Sequence, residues 1–355
     1  MPLLARMVTT PIAIEVRRGA ISHIGEILAD KRISSGGDVA VVVGPGQGER
    51  IAELVRPSLG NPDVCTVVGG TLESAMNLGT KLAEKHYDAV VGIGGGKTLD
   101  TAKLAASRYG LPLVSVATSL AHDGIASPVA SLDHDGLRRS YGVNIPFAVV
   151  VDLDFVVRGP ARQTRSGIGD AISNASAVAD WELAHLERAE PIDGLAAALA
   201  RNGADAVLNH PGSITDDDFL TTLAEALTLG GIAMAVCGSS RPASGGCHEI
   251  SHAVDGMSLD AGTHGEQVGL GALFCTYLRG DESRFKQMAA CLARHGLPRT
   301  PADLGLTEDQ FADAVHDAPG TRPDRYTILE HLSLGPDEIR TRIKEYIDAV
   351  GAVSA

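Results

Sequence analysis

The chain has 355 residues, 44% of them hydrophobic and 21% charged, with a formal net charge of −14. That length fits two domains of ordinary size and the composition fits a globular protein. The acidic balance argues against a partner bound through phosphate backbones, since nucleic-acid binders present a basic face; a local basic pocket for one small phosphate stays compatible. Five cysteines, an odd number with no CxxC pair, point to reduced thiols in a cytoplasm rather than a disulfide framework. The first twenty residues carry no signal-peptide pattern and no run of 18 apolar residues occurs, so neither secretion nor a membrane span is expected.

The N-terminal part alternates β-rich runs with amphipathic segments. "DVAVVVG" (38–44) predicts a buried strand and "GERIAELVRPSL" (48–59) a helix with Ile51, Leu54 and Val55 on one face. "VCTVVGG" (64–70), "LESAMNLGTKLAEKH" (72–86), "DAVVGIGGG" (88–96), "KTLDTAKLAASRYG" (97–110) and "LPLVSVATS" (111–119) continue strand, helix, strand, helix, strand. "AVVVDLDFV" (148–156) predicts the last strand of this part. Such alternation needs parallel pairing with crossovers, hence a doubly wound α/β domain over residues 1–160. From "GDAISNASAVADWELAHLER" (169–188) onward the segments have helical periodicity and are rich in alanine and leucine, predicting an all-helical domain over residues 161–355. A cleft between two such domains is a usual ligand position. There is no internal repeat or low-complexity segment.

Three stretches carry chemistry. "GIGGGKTLDTAK" (92–103) runs from a strand through glycines into a helix, where bare backbone N–H groups can cradle a pyrophosphate; the plain alternative is a tight turn. It is neither GxGxxG nor a Walker A loop, which would need glycine where Val91 stands. "VATSLAHDGIASP" (116–128) leaves the next strand with small and hydroxyl residues around a His-Asp pair, either lining a pocket or forming a turn capped by Asp123. "GGCHEISHAVD" (245–255) sets His248 and His252 four apart on one helical face, and "THGEQVG" adds His264. Spacing alone leaves metal ligation, core packing and no role all open.

Together "GIGGGKTLDTAK", "TSLAHDGIASPVASL", "GIGDAISNASAVADW", "SSRPASGGCHEISHAVD", "HGEQVGLG" and "RPDRYTILEHL" resemble the sn-glycerol-1-phosphate dehydrogenases. These sit in a larger group with iron-type alcohol dehydrogenases, glycerol dehydrogenases and dehydroquinate synthases. "HDGIASP" and "SSRPASG" are the specific parts; the triple glycine belongs to the whole group. The resemblance implies a dehydroquinate synthase-like fold, and reduction of dihydroxyacetone phosphate to glycerol 1-phosphate with NADH or NADPH, a product used in phospholipid biosynthesis. It implies one divalent metal held by Asp170, His248 and His264, with zinc the first expectation and nickel or iron the alternatives. His252 and Asp123 then correspond to the catalytic, substrate-contacting residues, and Asp170 touches both metal and substrate. Gly95, Gly96, Lys97, Thr98, Leu99 and Asp100 correspond to the segment under the pyrophosphate. Thr118, Ser119, Leu120, Ala121 and Ser127 correspond to residues nearer the nicotinamide. A homo-oligomer, dimer or larger, is implied as well.

Two departures stand out. Cys247 replaces the family's usual glutamate before the first metal histidine, and either perturbs a thiophilic metal or simply packs. Ala121 replaces a common serine, which removes one hydrogen bond to the cofactor. Arg241 of "SSRPASG" is a chemical candidate for the substrate phosphate, with a structural salt bridge as the alternative. Glu49 and Arg50, after the first strand, leave NAD and NADP undecided. The rival readings are a dehydrogenase of an unphosphorylated polyol such as glycerol, a dehydroquinate-synthase-like cyclase, and a non-catalytic NAD-binding protein. "GDAISNASA" lacks the lysine of the cyclase's metal segment, and the Asp170, His248, His252, His264 set argues against a non-catalytic protein.

Overall fold

The computed structural model describes residues 8–353 except 46, 47 and 258. The chain forms two compact units, Met1–Pro160 and Ala161–Ala355.

The first unit is built on a six-stranded parallel sheet: β1 (Ala13–Arg17), β2 (Val39–Val43), β3 (Asp63–Thr66), β4 (Ala89–Gly94), β5 (Leu113–Ala117) and β8 (Ala148–Asp152), in the order β1-β8-β5-β4-β2-β3. The central strands are buried on both faces, as their continuous Val/Ile/Ala runs require. The connecting helices are α1 (Ile24–Leu28), α2 (Gly48–Leu59), α3 (Leu72–Ala83) and α4 (Gly96–Arg108). Thr71 caps α3 by accepting from the Ser74 N–H at 3.1 Å. Strand order reverses between β4 and β2, and in open α/β sheets ligands bind at the carboxyl ends on either side of such a reversal.

The first unit departs from the sequence reading in three places. A hairpin, β6 (Val129–His134) and β7 (Leu137–Gly142), fills a stretch left unassigned; its turn is Asp135-Gly136, both at positive φ, the pair a two-residue hairpin favours. β1 pairs with β8, more than 130 residues away, and no local signal announces that partner. The strand expected over 148–156 stops at Asp152. Its carboxylate accepts the Asp154 N–H at 3.0 Å and starts a short helix, α5 (Leu153–Arg158), while also accepting the N–H groups of Gly19 and Ile21. An N-cap here overrides the apolar run.

The second unit is helical: α6 (Ala161–Arg188), α7 (Gly194–Asn209), α8 (Asp217–Cys237), α9 (Gly246–Gly256), α10 (His264–Leu278), α11 (Glu282–Arg294), α12 (Glu308–Thr321), α13 (Ile328–Leu332) and α14 (Pro336–Val353). α6 begins eight residues before the expected start, directly after Pro160. α8 is long and apolar enough to cross a membrane by length and composition, but Phe219, Leu220, Leu223, Leu227 and Met234 are buried within the unit, as in a core helix. α6, α9 and α10 pack on one another, and these three helices carry the residues of interest.

Candidate active site

The glycine stretch forms the tight strand-to-helix passage that a phosphate site needs. β4 ends at Gly94, Gly95 is the extended N-cap of α4, and Gly96 opens its first turn. Other glycines bring the neighbouring backbone close. A Cβ on Gly44, at the end of β2, would stand 2.7 Å from Thr98 Oγ1, and one on Gly94 would meet the Thr98 side chain at 2.8 Å. Gly69 lies against the Lys97 backbone at φ +74°, a conformation that favours glycine. Gly44 and Gly69 were not singled out in the sequence, and only the sheet order brings them here.

The loop after β5 lies over the same turn. The Thr118 N–H donates to Gly94 O at 3.1 Å, and Ser119 Oγ is 3.3 Å from the position of a Gly95 Cβ. His122 Nε2 occupies the space of a Gly96 Cβ, at 2.3 Å, while its Nδ1 accepts the Gly124 N–H at 2.9 Å. Burial holds the His122 imidazole below its usual pKa. A side chain at Gly96 would therefore have to displace the His122 ring.

The other residues expected near the cofactor divide. Lys97 is exposed, whereas Leu99 and Leu120 are fully buried in the core. Asp100 is buried, pairs with Lys103 Nζ at 2.8 Å and accepts the Ser131 N–H, so its carboxylate ties α4 to the hairpin. Ser127, also buried, contacts the same ammonium at 3.5 Å, and Lys103 further donates to Val129 O. Asp123 carries a pKa pushed up to about 6, chiefly by burial, with Lys103 opposing and Asp100 reinforcing the shift. Ala121 is half-buried. Of the pair expected to bear on NAD against NADP, the Glu49 side chain lies outside the described residues and Arg50 is exposed.

In the second unit, Asp170, His248 and His264 bring one donor atom each within 4.8 Å of one another. Asp170 Oδ1 is 4.0 Å from His248 Nε2 and 3.7 Å from His264 Nε2, and the two rings meet edge to face at 5.1 Å. Asp170 is buried in mid-α6, His248 stands in the first turns of α9, and His264 opens α10. A Thr263–Glu266 capping box fixes the start of α10. The start of α9 is held by Asp180, fully buried, which accepts the N–H groups of Gly246 and Ile328, each at 2.8 Å, and pairs with Arg279.

The donor set fits a metal. A tetrahedral ion at about 2.0–2.1 Å from each ligand needs donor atoms roughly 3.3 Å apart. The observed spacing closes to that by small side-chain rotations. Burial, then the charges of His264, His252, Arg322 and Arg325, hold His248 well below its usual pKa, so it presents a neutral lone pair. His264 Nδ1 lies 3.4 Å from Ser251 Oγ, which donates to Gln267 Oε1 at 2.6 Å. That relay leaves the proton on Nδ1 and Nε2 free to ligate. Three protein donors leave a coordination position open, as catalysis requires.

Cys247 is fully buried, with its thiol pushed up to about 12 chiefly by burial. Its sulphur stands 3.4 Å from His248 Nδ1, on the ring edge away from Asp170. It packs and orients the histidine as a thiol. His252, one turn beyond His248, is pushed down to about 4 by burial, then by Arg322 and Arg325, and its Nε2 accepts from Arg322 Nη2 at 3.2 Å. Of the two readings left open for Arg241, the structure favours the salt bridge: the residue is buried, pairs with the Glu190 carboxylate and donates to the Tyr326 carbonyl. The arginines that do face the histidines, Arg322 and Arg325, lie in "RPDRYTILEHL", a stretch to which no role was given.

Residues 15–160 match the family model of iron-containing alcohol dehydrogenases. A glycerol-1-phosphate dehydrogenase [NAD(P)+] from Methanosarcina mazei is 34% identical over 351 residues, 97% of this chain and 98% of that protein. One from Archaeoglobus fulgidus is 38% identical over 291 residues, covering 80% and 82%. Among solved structures, glycerol dehydrogenase from Schizosaccharomyces pombe superposes with a TM-score of 0.76 at 23% identity, over 98% of this chain and 92% of that one. A probable glycerol dehydrogenase from Sinorhizobium meliloti gives 0.75 at 23%, over 98% and 99%. At that identity the likeness is one of fold.

Proposed function

The chain belongs to the glycerol-1-phosphate dehydrogenase family, and from that premise we propose that it is a metal-dependent NAD(P)H oxidoreductase interconverting dihydroxyacetone phosphate and sn-glycerol 1-phosphate. The observation that carries this reading is the Asp170, His248, His264 donor set, with His252 one helical turn away. The dinucleotide supplies the hydride, and the metal, zinc in this proposal, polarises the reacting oxygen as a Lewis acid.

Residues 1–160 serve as the dinucleotide-binding domain and residues 161–355 as the metal- and substrate-binding domain. Gly95, Gly96 and Lys97 offer the N–H groups at the start of α4 to the pyrophosphate, and Thr98, whose N–H donates to Gly95 O at 3.0 Å, closes the turn beneath it. Leu99 and Asp100 hold that turn in place from inside the fold. Thr118, Ser119 and Ala121 border the turn, while Leu120 and Ser127 anchor their loop. His252, held neutral by burial and by Arg322 and Arg325, takes the hydroxyl proton in the oxidation direction at Nε2, the lone pair it shares with Arg322, and returns it in reduction. Asp123 and Asp170 keep the substrate contacts that the family likeness implies. An odd count of five cysteines with no CxxC pair suits a cytoplasmic setting, and the likeness implies a homo-oligomer.

The test is a direct assay. Purified protein, after metal analysis, is given dihydroxyacetone phosphate or free dihydroxyacetone with each reduced cofactor, before and after chelation. Turnover of the phosphorylated ketone, lost on chelation and restored by a divalent ion, is expected. Full activity after exhaustive metal removal, or exclusive use of the unphosphorylated ketone, would overturn the reading.

A further inference from the structure

The segment between α12 and α13 presents two guanidinium groups beside the histidine cluster. Arg322, at the end of α12, places Nη2 3.2 Å from His252 Nε2. Arg325 donates to Ser244 O and, at 3.0 Å, to Ser240 Oγ. Both are half-buried, and among the described residues neither has a carboxylate oxygen within 4.0 Å, whereas nearby Arg241 is taken by Glu190. The charges of Glu249 and Asp324 act on Arg325 only at longer range, and burial together with Arg322 and Arg241 pushes it down to about 10. Two half-buried guanidinium groups close enough to repel each other, with no carboxylate at ion-pair distance, make a place that an anion would suit.

The segment that carries them is pinned. Arg241 holds the Tyr326 carbonyl, the Ile328 N–H donates to Asp180 at 2.8 Å, the Arg325 N–H donates to Arg322 O at 2.9 Å, and Thr327 Oγ1 bonds Glu249 at 3.1 Å. The guanidinium groups are thus held ready rather than recruited. Their distance from the metal donors also suits the substrate. From the ligand His248 to His252 is four helical residues, about 6 Å along the axis; Arg322 bonds His252 at 3.2 Å, and the charges of Arg322 and Arg325 reach both histidines. In a triose phosphate only one carbon and one oxygen separate the carbonyl carbon from phosphorus. A substrate whose carbonyl oxygen reaches the metal position therefore carries its phosphate toward this pair.

Resting on the phosphorylated-substrate reading above, we infer that Arg322, supported by Arg325, receives the substrate phosphate and sets the preference for the phosphorylated over the unphosphorylated ketone. A planar guanidinium matches two phosphate oxygens at once, which a lysine ammonium does only as a point charge.

The experiment uses the full-length, metal-loaded enzyme and the variants Arg322→Gln and Arg322→Lys. It measures metal content, kcat/KM for dihydroxyacetone phosphate and for free dihydroxyacetone, and competitive inhibition by inorganic phosphate. The ratio of the two kcat/KM values is expected to fall about 10²–10³-fold in Arg322→Gln. Phosphate inhibition should weaken in parallel, and Arg322→Lys should recover part of both effects. Equal losses on both ketones, with phosphate inhibition unchanged, would mean that Arg322 acts on His252 alone, overturning the inference while leaving the dehydrogenase reading intact. If Arg322→Gln fails to retain metal, the same ratio and inhibition constant in Arg322→Lys decide the matter, unchanged values overturning the inference. A wild-type enzyme with no activity on the phosphorylated ketone would overturn the functional reading, and this inference with it.

Discussion

Substituting Gly265 by alanine should dismantle the metal centre without touching a ligand. Gly265 follows His264 in α10, and Gly169 precedes Asp170 in α6. A Cβ on Gly265 would lie 1.7 Å from Ser166 O, and one on Gly169 would lie 2.0 Å from Gly265 O. The two backbones touch next to the two ligands, which lets Asp170 and His264 come within 3.7 Å. Cβ atoms do not approach backbone atoms within 3.0 Å, so Gly265→Ala must part α6 and α10 by more than 1 Å.

Such a shift takes the Asp170–His264 separation from 3.7 Å toward about 5 Å, so the side-chain rotations needed to bring both donors to about 2.0–2.1 Å from one ion become larger and strained. Overpacking of this kind costs about 1–3 kcal/mol, here nearer the upper end because backbone opposes backbone. Metal affinity should fall at least 10–100-fold, the range for misoriented ligands. Chelator competition for the divalent metal and urea unfolding with and without metal measure the two effects. Gly351→Ala, where a Cβ meets open space, is the control. A Gly265→Ala protein with unchanged metal affinity and unchanged stability would refute the reasoning.

Within α9, His248→Ala should lose the metal, while His252→Ala should keep it and lose turnover by about 10²–10⁴-fold; the reverse pattern of bound metal would exchange the two roles. Gly96→Val should weaken dinucleotide binding strongly with metal retained. Because its Cβ meets His122, the double variant with His122→Ala separates the causes: affinity that returns in the double variant would assign the glycine to His122 rather than to the pyrophosphate. His295, buried and stacked on Phe219 at 4.7 Å, is pushed down to about 4 by burial, then by Arg294, Arg165 and His210. The unfolded chain binds a proton near pH 6.5 that the native state refuses down to about 4, so stability from this group is present above pH 6.5 and lost as pH falls toward 4. The loss is about 3 kcal/mol. His295→Gln should flatten this slope in urea unfolding between pH 6.5 and 4.5, and an unaltered slope would exclude the histidine as its source.

Local sequence determined what local physics controls. Apolar runs ending in glycine are strands buried on both faces, so β2, β4 and β5 were legible, as was the passage from Gly94 through Gly96 into α4. The acidic and histidine residues of α6, α9 and α10 were legible only through likeness to a known family, because four-residue spacing on one helix says nothing about a third ligand on another. Tertiary structure decided the rest. Strand order, set by which distant surfaces bury each other, put Gly44 and Gly69 around the first turn of α4 and paired β1 with β8. Asp152 ended a strand because its carboxylate found three N–H groups, two of them more than 130 residues away. Arg241 and Arg322 are the same residue type, yet one found a carboxylate and the other a histidine. A side chain's formal charge is written in the sequence, but the partner that neutralises it, or leaves it waiting for an anion, is chosen by the packing of helices far apart in the chain.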